Sequence, residues 1–235
     1  MTATTAAMAA STEKYGRIFF EHLWRGAGIQ AVAFIVIGAL VAGFGPGIGA
    51  SAETLTGFYG ANGVRILIAT PILGLGILNL VWFTQSIRVA LAEVGLDGWG
   101  AAATAASAMT GAIAFVLIAI QAAQVTIAGT GDGAFATGLN TVAWTAVVLS
   151  SFPRAMLVMG PSFGFWRAGY ISNKQFLLAV GLVFAGVFGG TTLAIGTVWA
   201  PDAAFSRFIL PALELVWVVA IGRVLSRVPS TSTGF

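Results

Sequence analysis

Cysteine is absent from this 235-residue chain, which excludes disulfides, thiolate metal sites and cysteine nucleophiles. There is one histidine, His22, so a histidine-rich metal site and bis-histidine haem ligation are excluded within a single chain. Charge is scarce as well. Asp, Glu, Lys and Arg make up 8% of the residues and apolar types 58%, against about 25% and about 45–50% in a soluble domain, so a water-soluble fold is excluded. The basic residues behind the net charge of +3 are scattered rather than clustered, which argues against a nucleic-acid partner. No HExxH zinc motif and no GxxxxGK phosphate loop is present. We therefore expect no cofactor and no metal site, and a binding protein rather than an enzyme.

What the chain has in quantity is apolar sequence. Runs of about 20 mainly apolar residues predict an all-α, polytopic integral membrane bundle of six transmembrane helices near 27–44, 65–85, 101–128, 139–160, 176–199 and 208–226. Breakers mark the ends of these runs: Gly45-Pro46-Gly47, Gly129-Thr130-Gly131-Asp132-Gly133, Gly160-Pro161 and Pro201-Asp202. The loops are short, so residues 17–227 form a single transmembrane domain. Residues 1–16, rich in Ala and Thr, are expected to be a disordered cytoplasmic tail, and 228–235 a polar cytoplasmic one. The first apolar run exceeds the length of a signal-peptide core, so it is expected to be a retained helix.

Basic residues test the topology independently. Lys14, Arg17, Arg25, Arg88, Arg167, Lys174, Arg223 and Arg227 fall on one side of the predicted membrane, and Arg65 and Arg207 on the other. The positive-inside rule then places both termini in the cytoplasm, as in a multi-pass protein of the cytoplasmic (cell inner) membrane. Six tryptophans lie near predicted interfaces; Trp217 is the exception. Trp24-Arg25 and Trp166-Arg167 open the first and fifth spans alike, as do Arg65 and Arg207 the second and sixth, but interfacial anchoring explains this without a duplicated hairpin.

The 31 glycines include many within spans, where small residues let helices approach closely in lipid. Gly181, Ala185 and Gly189 repeat every four residues, with Gly186 and Gly190 beside them. This smooth face makes the fifth span a candidate for the bundle centre, or for a homo-oligomer or membrane-complex contact, with ordinary packing as the default.

Two charges lie well inside the spans, Arg154 and Glu214, and intramembrane charge is costly enough to mark function. Counting rise per residue from the predicted outer ends puts Glu214 about 9 Å deep and Arg154 about 22 Å deep, so the two are not expected to pair. Glu214 shares a helix face with Trp217 and an outer zone with Gln121, Gln124, Asn140, Thr191, Thr192 and Arg65. Together these are the candidate ligand-binding residues of a polar chamber in which Glu214 can hold a proton, donate one or receive a cation. An Arg65-paired structural acid is the alternative.

Arg154 follows Pro153, whose ring frees the carbonyl of Leu149 and predicts a kink that the hydroxyls of Ser150 and Ser151 can repair. With Asn79 at similar depth, Arg154 is a candidate anion or headgroup contact, or else snorkels to the interface. Glu21, His22 and Arg25 read as an interfacial anchor. The function these features suggest is binding or transport of a small or lipophilic molecule through the chamber around Glu214. A non-catalytic accessory subunit, and an intramembrane lipid isomerase or cyclase using Glu214, are the alternatives.

Overall fold

The structure, a computed structural model, describes residues 26–194 and 200–228. The Glu21–His22–Arg25 cluster, Trp24, Trp199 and the expected tails lie outside the described residues, except Val228, which is buried in the main core rather than part of a polar tail. Among these residues seven α-helices follow in order: α1 (Gly26–Ala42), α2 (Ala52–Ala92), α3 (Asp97–Thr130), α4 (Gly133–Leu149), α5 (Ser151–Arg167), α6 (Asn173–Gly189) and α7 (Leu210–Leu225). A turn of π-helix, Phe205–Ile209, leads directly into α7. There is no strand among the described residues. Among the described residues, four units are long and apolar enough to cross a membrane, namely α2, α3, the α4–α5 rod and the helix Phe205–Leu225. The shorter α1 and α6 are apolar too.

Local chemistry sets the helix ends. Ser51 Oγ accepts the Thr54 N–H at 3.2 Å to start α2, and the Asp132 carboxylate accepts the Phe135 N–H at 3.1 Å to start α4. Ser172 and Gln175 form a reciprocal capping box on α6. Gly131 and Gly169, with φ of 75° at each, close α3 and α5 in the left-handed conformation that glycine adopts freely. At 41 and 34 residues, α2 and α3 are about 62 Å and about 51 Å long, beyond the about 30 Å of a hydrocarbon core. They pair along their length as the spine of the molecule.

Where a kink was expected, α4 and α5 form one rod interrupted at Ser150, and the missing N–H of Pro153 leaves the Leu149 carbonyl without its helical donor. The two hydroxyls serve other acceptors and donors: Ser150 Oγ donates to Val147 O at 2.6 Å, and Ser151 Oγ accepts from Arg154. The expected stop at Gly160-Pro161 is corrected, because α5 runs through both residues to Arg167. Gly160 there is a packing position, set against the Trp99 carbonyl and the Ala103 backbone of α3.

The fifth span also needs correction. α6 ends at Gly189 rather than near Trp199, where Thr191 and Thr192 turn their hydroxyls back onto the carbonyls of Phe188 and Gly189 at 2.7 and 2.9 Å and so compete with the helical ladder. Nor is α6 central. It packs on α5, and less on α7, while Leu177, Leu178 and Phe184 face outward. Its contact with α5 uses Gly186 and Gly190, against Ala155 and Phe152, whereas a Cβ at Gly181 would meet nothing within 4 Å. The main core lies instead between α1, α2, α5 and α7, around Phe83, Ile87, Leu91, Phe165 and Trp217. A second cluster, Leu55, Tyr59, Ile66, Ile127 and Ala136, closes the other end of the α2–α3 spine. Large apolar side chains also cover the outside, with Leu178 at 76% and Val64 at 74% exposure. That surface suits lipid and would aggregate in water.

Candidate functional site

Arg154 and Glu214 meet. Arg154 Nη1 donates to Glu214 Oε2 at 3.0 Å and Nη2 to Ser151 Oγ at 3.1 Å, with the two side chains 18% and 12% exposed. This corrects the expectation that depth separates them. Depth was counted from outer ends that the helices do not share, since α4 begins at Gly133 and the last helix at Phe205. Counted from the C-terminal ends of their own helices, Arg154 stands thirteen residues before Arg167 and Glu214 eleven before Leu225. Those are rises of about 20 Å and about 17 Å, the same level of the bundle.

Three local features place the pair. Ser151 and Arg154, at i and i+3 on α5, share a helix face, which puts the hydroxyl within reach of the guanidinium. Pro211, at the start of α7, cannot donate to the carbonyl of Arg207, and the π-turn before it absorbs the irregularity just ahead of Glu214. One turn further on, Trp217 Nε1 donates to Ser162 Oγ at 3.0 Å, and Ser162 Oγ donates to Val158 O at 2.7 Å, which locks α7 to α5. Trp217, the tryptophan out of place in the sequence, is thus a buried helix tie.

Ser162 belongs to Gly160-Pro161-Ser162-Phe163-Gly164, a Gly-x-Ser-x-Gly string. A nucleophile elbow needs a strand-turn-helix and an exposed serine. This serine is mid-helix, buried, and hydrogen-bonded on both sides, so the match is coincidental.

The pair borders a cavity of about 180 Å³ walled by α1, α2, α3, α5 and α7. Ala31, Leu80, Leu157 and Val218 supply apolar wall, and Thr110, Arg154 and Glu214 supply polarity. The ion pair is one-pronged. Glu214 Oε1 has no hydrogen-bond partner among the described residues, and Arg154 Nε is buried without one. Ser107 Oγ, one turn from Thr110 on α3, is likewise buried and unpartnered. Such a group costs free energy unless something completes it.

The other expected chamber residues do not line this cavity. Arg65 donates to the Val41 carbonyl at 3.1 Å and to Leu40 at 3.5 Å, closing the end of α1 rather than pairing with Glu214. Gln124 Nε2 donates to Ala136 O at 2.8 Å and ties α3 to α4. Gln121 is half-buried on α3. Thr191 and Thr192 close α6, and Asn79 donates to its own helix at Leu75 O. Asn140 holds the Gly47 carbonyl at 2.9 Å.

That last bond is part of a grip on the α1–α2 loop. Trp144 Nε1 donates to Pro46 O at 3.2 Å and Arg207 Nη2 to Gly45 O, so three consecutive carbonyls are held from outside the loop. The Arg207 guanidinium also lies 5.3–6.0 Å from the rings of Phe44, Trp144 and Phe208. Arg207→Met removes both the donor and the cation. Leaving a carbonyl unpaired costs about 1–3 kcal/mol, so limited proteolysis within residues 43–51 is expected to speed up by roughly five- to a hundredfold. Wild-type cleavage rates in the variant would refute the grip.

No group of three or more metal-ligating side chains occurs among the described residues. Comparison with known protein families, with curated proteins and with solved structures returns no match, so the reading of this site rests on its own residues.

Proposed function

We propose that this chain is a multi-pass protein of the cytoplasmic membrane, with both termini cytoplasmic, that binds or carries a small molecule, or the end of a lipophilic one, at the Arg154–Glu214 cavity. The observation that carries the reading is an ion pair inside an apolar bundle, opening with a free carboxylate oxygen onto a hollow of about 180 Å³. Ligand sites pair apolar walls with a few convergent polar groups, as this cavity does, though drug-sized ligands use about 300–1,000 Å³. The space equals the liquid volume of about six waters, which favours a compact ligand or one terminal group. Intramembrane charge in a bundle interior is a mark of ligand or ion handling.

Native mass spectrometry of gently extracted protein tests the reading. Wild type is expected to carry a small adduct that Glu214→Gln loses, and that adduct then serves as tracer for uptake into proteoliposomes. An adduct retained equally by both proteins, or uptake unchanged in the variant, removes Glu214 from the role. A subunit or oligomer contact is the second reading; of the expected Gly181, Ala185 and Gly189 face, Gly181 is open, with nothing within 4 Å of a Cβ there, while Gly189 is buried against Leu210 and Ser151.

A further inference from the structure

The outer faces of α1 and α7 enclose a second hollow, an open groove of about 400 Å³. Val32 and Val36 form one wall and Ala212, Leu215 and Val219 the other, and Arg223 closes one end as the one charged lining residue. We infer that this groove is a binding site for one acyl chain of an anionic phospholipid from the surrounding bilayer, with the lipid phosphate on Arg223.

Length and charge both point to that occupant. From Ala212 to Arg223 is eleven residues of helix, about 17 Å, close to the roughly 15 Å depth of one leaflet. The groove therefore runs as a lipid tail runs, with its cation at the level of the headgroups. Arg223 is exposed and makes no ion pair among the described residues. A second copy of the chain fits less well, because α1 carries no acid and the one acid of α7, Glu214, is engaged by Arg154. Val32 and Leu215 wall both the groove and the ion-pair cavity, so the tail end of the bound chain abuts the site proposed above without depending on it.

The test uses purified full-length protein equilibrated with vesicles of equal phosphatidylglycerol and phosphatidylcholine, then stripped in detergent and read by native mass spectrometry. Wild type is expected to retain phosphatidylglycerol about fivefold over phosphatidylcholine, the selectivity that one arginine near an anionic surface provides. Arg223→Gln is expected to reduce that ratio to about one, whereas Arg227→Gln, exposed but outside the groove, leaves it unchanged. Ala220→Phe fills the groove and is expected to lose both lipids. Glu214→Gln is expected to keep the lipid, which separates this inference from the cavity reading. Equal retention of the two lipids by wild type, the same loss in Arg227→Gln as in Arg223→Gln, or a lipid-free dimer overturns it. Should Ala220→Phe fail to fold, the two arginine variants still decide.

Discussion

Glu214→Leu is expected to lower stability by about 3–5 kcal/mol, and the double variant Glu214→Leu/Arg154→Met to recover most of that loss. The single variant leaves the Arg154 guanidinium, 18% exposed, with Ser151 Oγ as its remaining partner. An uncompensated cation in an apolar interior is what makes breaking such a pair expensive, whereas replacing both members with apolar groups of similar volume is often neutral or stabilising. Thermal unfolding in detergent checks this, with a drop of roughly 6–20 °C for the single variant and a double variant close to wild type. Equal melting of all three proteins would mean that the charges are hydrated rather than paired. The combination of a stable double variant with lost ligand retention would show why the pair is kept: for what enters the cavity, at no gain to the fold.

Hydropathy identified the core of each long helix and left out what lies beyond the hydrocarbon. Residues 52–64 include Glu53, Thr54, Thr56 and Asn62, and so read as a loop before Arg65. Yet α2 begins at Ala52, because helix formation needs satisfied backbone groups and a cap rather than apolar side chains, and Ser51 supplies the cap. The same limit misled the depth estimate for Arg154 and Glu214. Counting from apparent ends treats helices as sharing a boundary, whereas the level at which two side chains meet depends on the tertiary register of α5 against α7.

The two charges and the helix interruption beside one of them were legible, because charge in an apolar run and proline in a helix carry their own physical penalties. The partners of the neutral polar groups were not. Gln124 and Asn140 resolve onto single backbone carbonyls, of Ala136 and Gly47 respectively, and a sequence does not say which of many carbonyls will lie nearby. Trp217 falls between the two cases: its displacement from the aromatic belt signalled an unusual role, but Ser162, its acceptor, sits 55 residues away in the chain.

Gly160→Leu is expected to pull α5 away from α3, and Gly181→Leu to do nothing of the kind. A Cβ at Gly160 would stand 2.9 Å from the Trp99 carbonyl oxygen and 3.2 Å from the Ala103 nitrogen. Those are backbone atoms of a neighbouring helix, and no rotamer change can move them aside. Overpacking of this kind costs about 1–3 kcal/mol, occasionally more, and here it outweighs the about 1 kcal/mol that helix propensity returns when glycine is replaced. The rings of Trp99 and Phe163, tilted at 34° with centroids 4.2 Å apart across the same contact, lose that contact, so a change in tryptophan fluorescence should accompany the lower melting temperature. At Gly181 nothing lies within 4 Å, so the propensity gain stands alone and the monomer is expected to be as stable as wild type or slightly more so. Unchanged melting of Gly160→Leu would contradict the α3–α5 contact as described. A Gly181→Leu protein that folds normally but loses an oligomer or a partner would move the second reading of α6 ahead of simple lipid exposure.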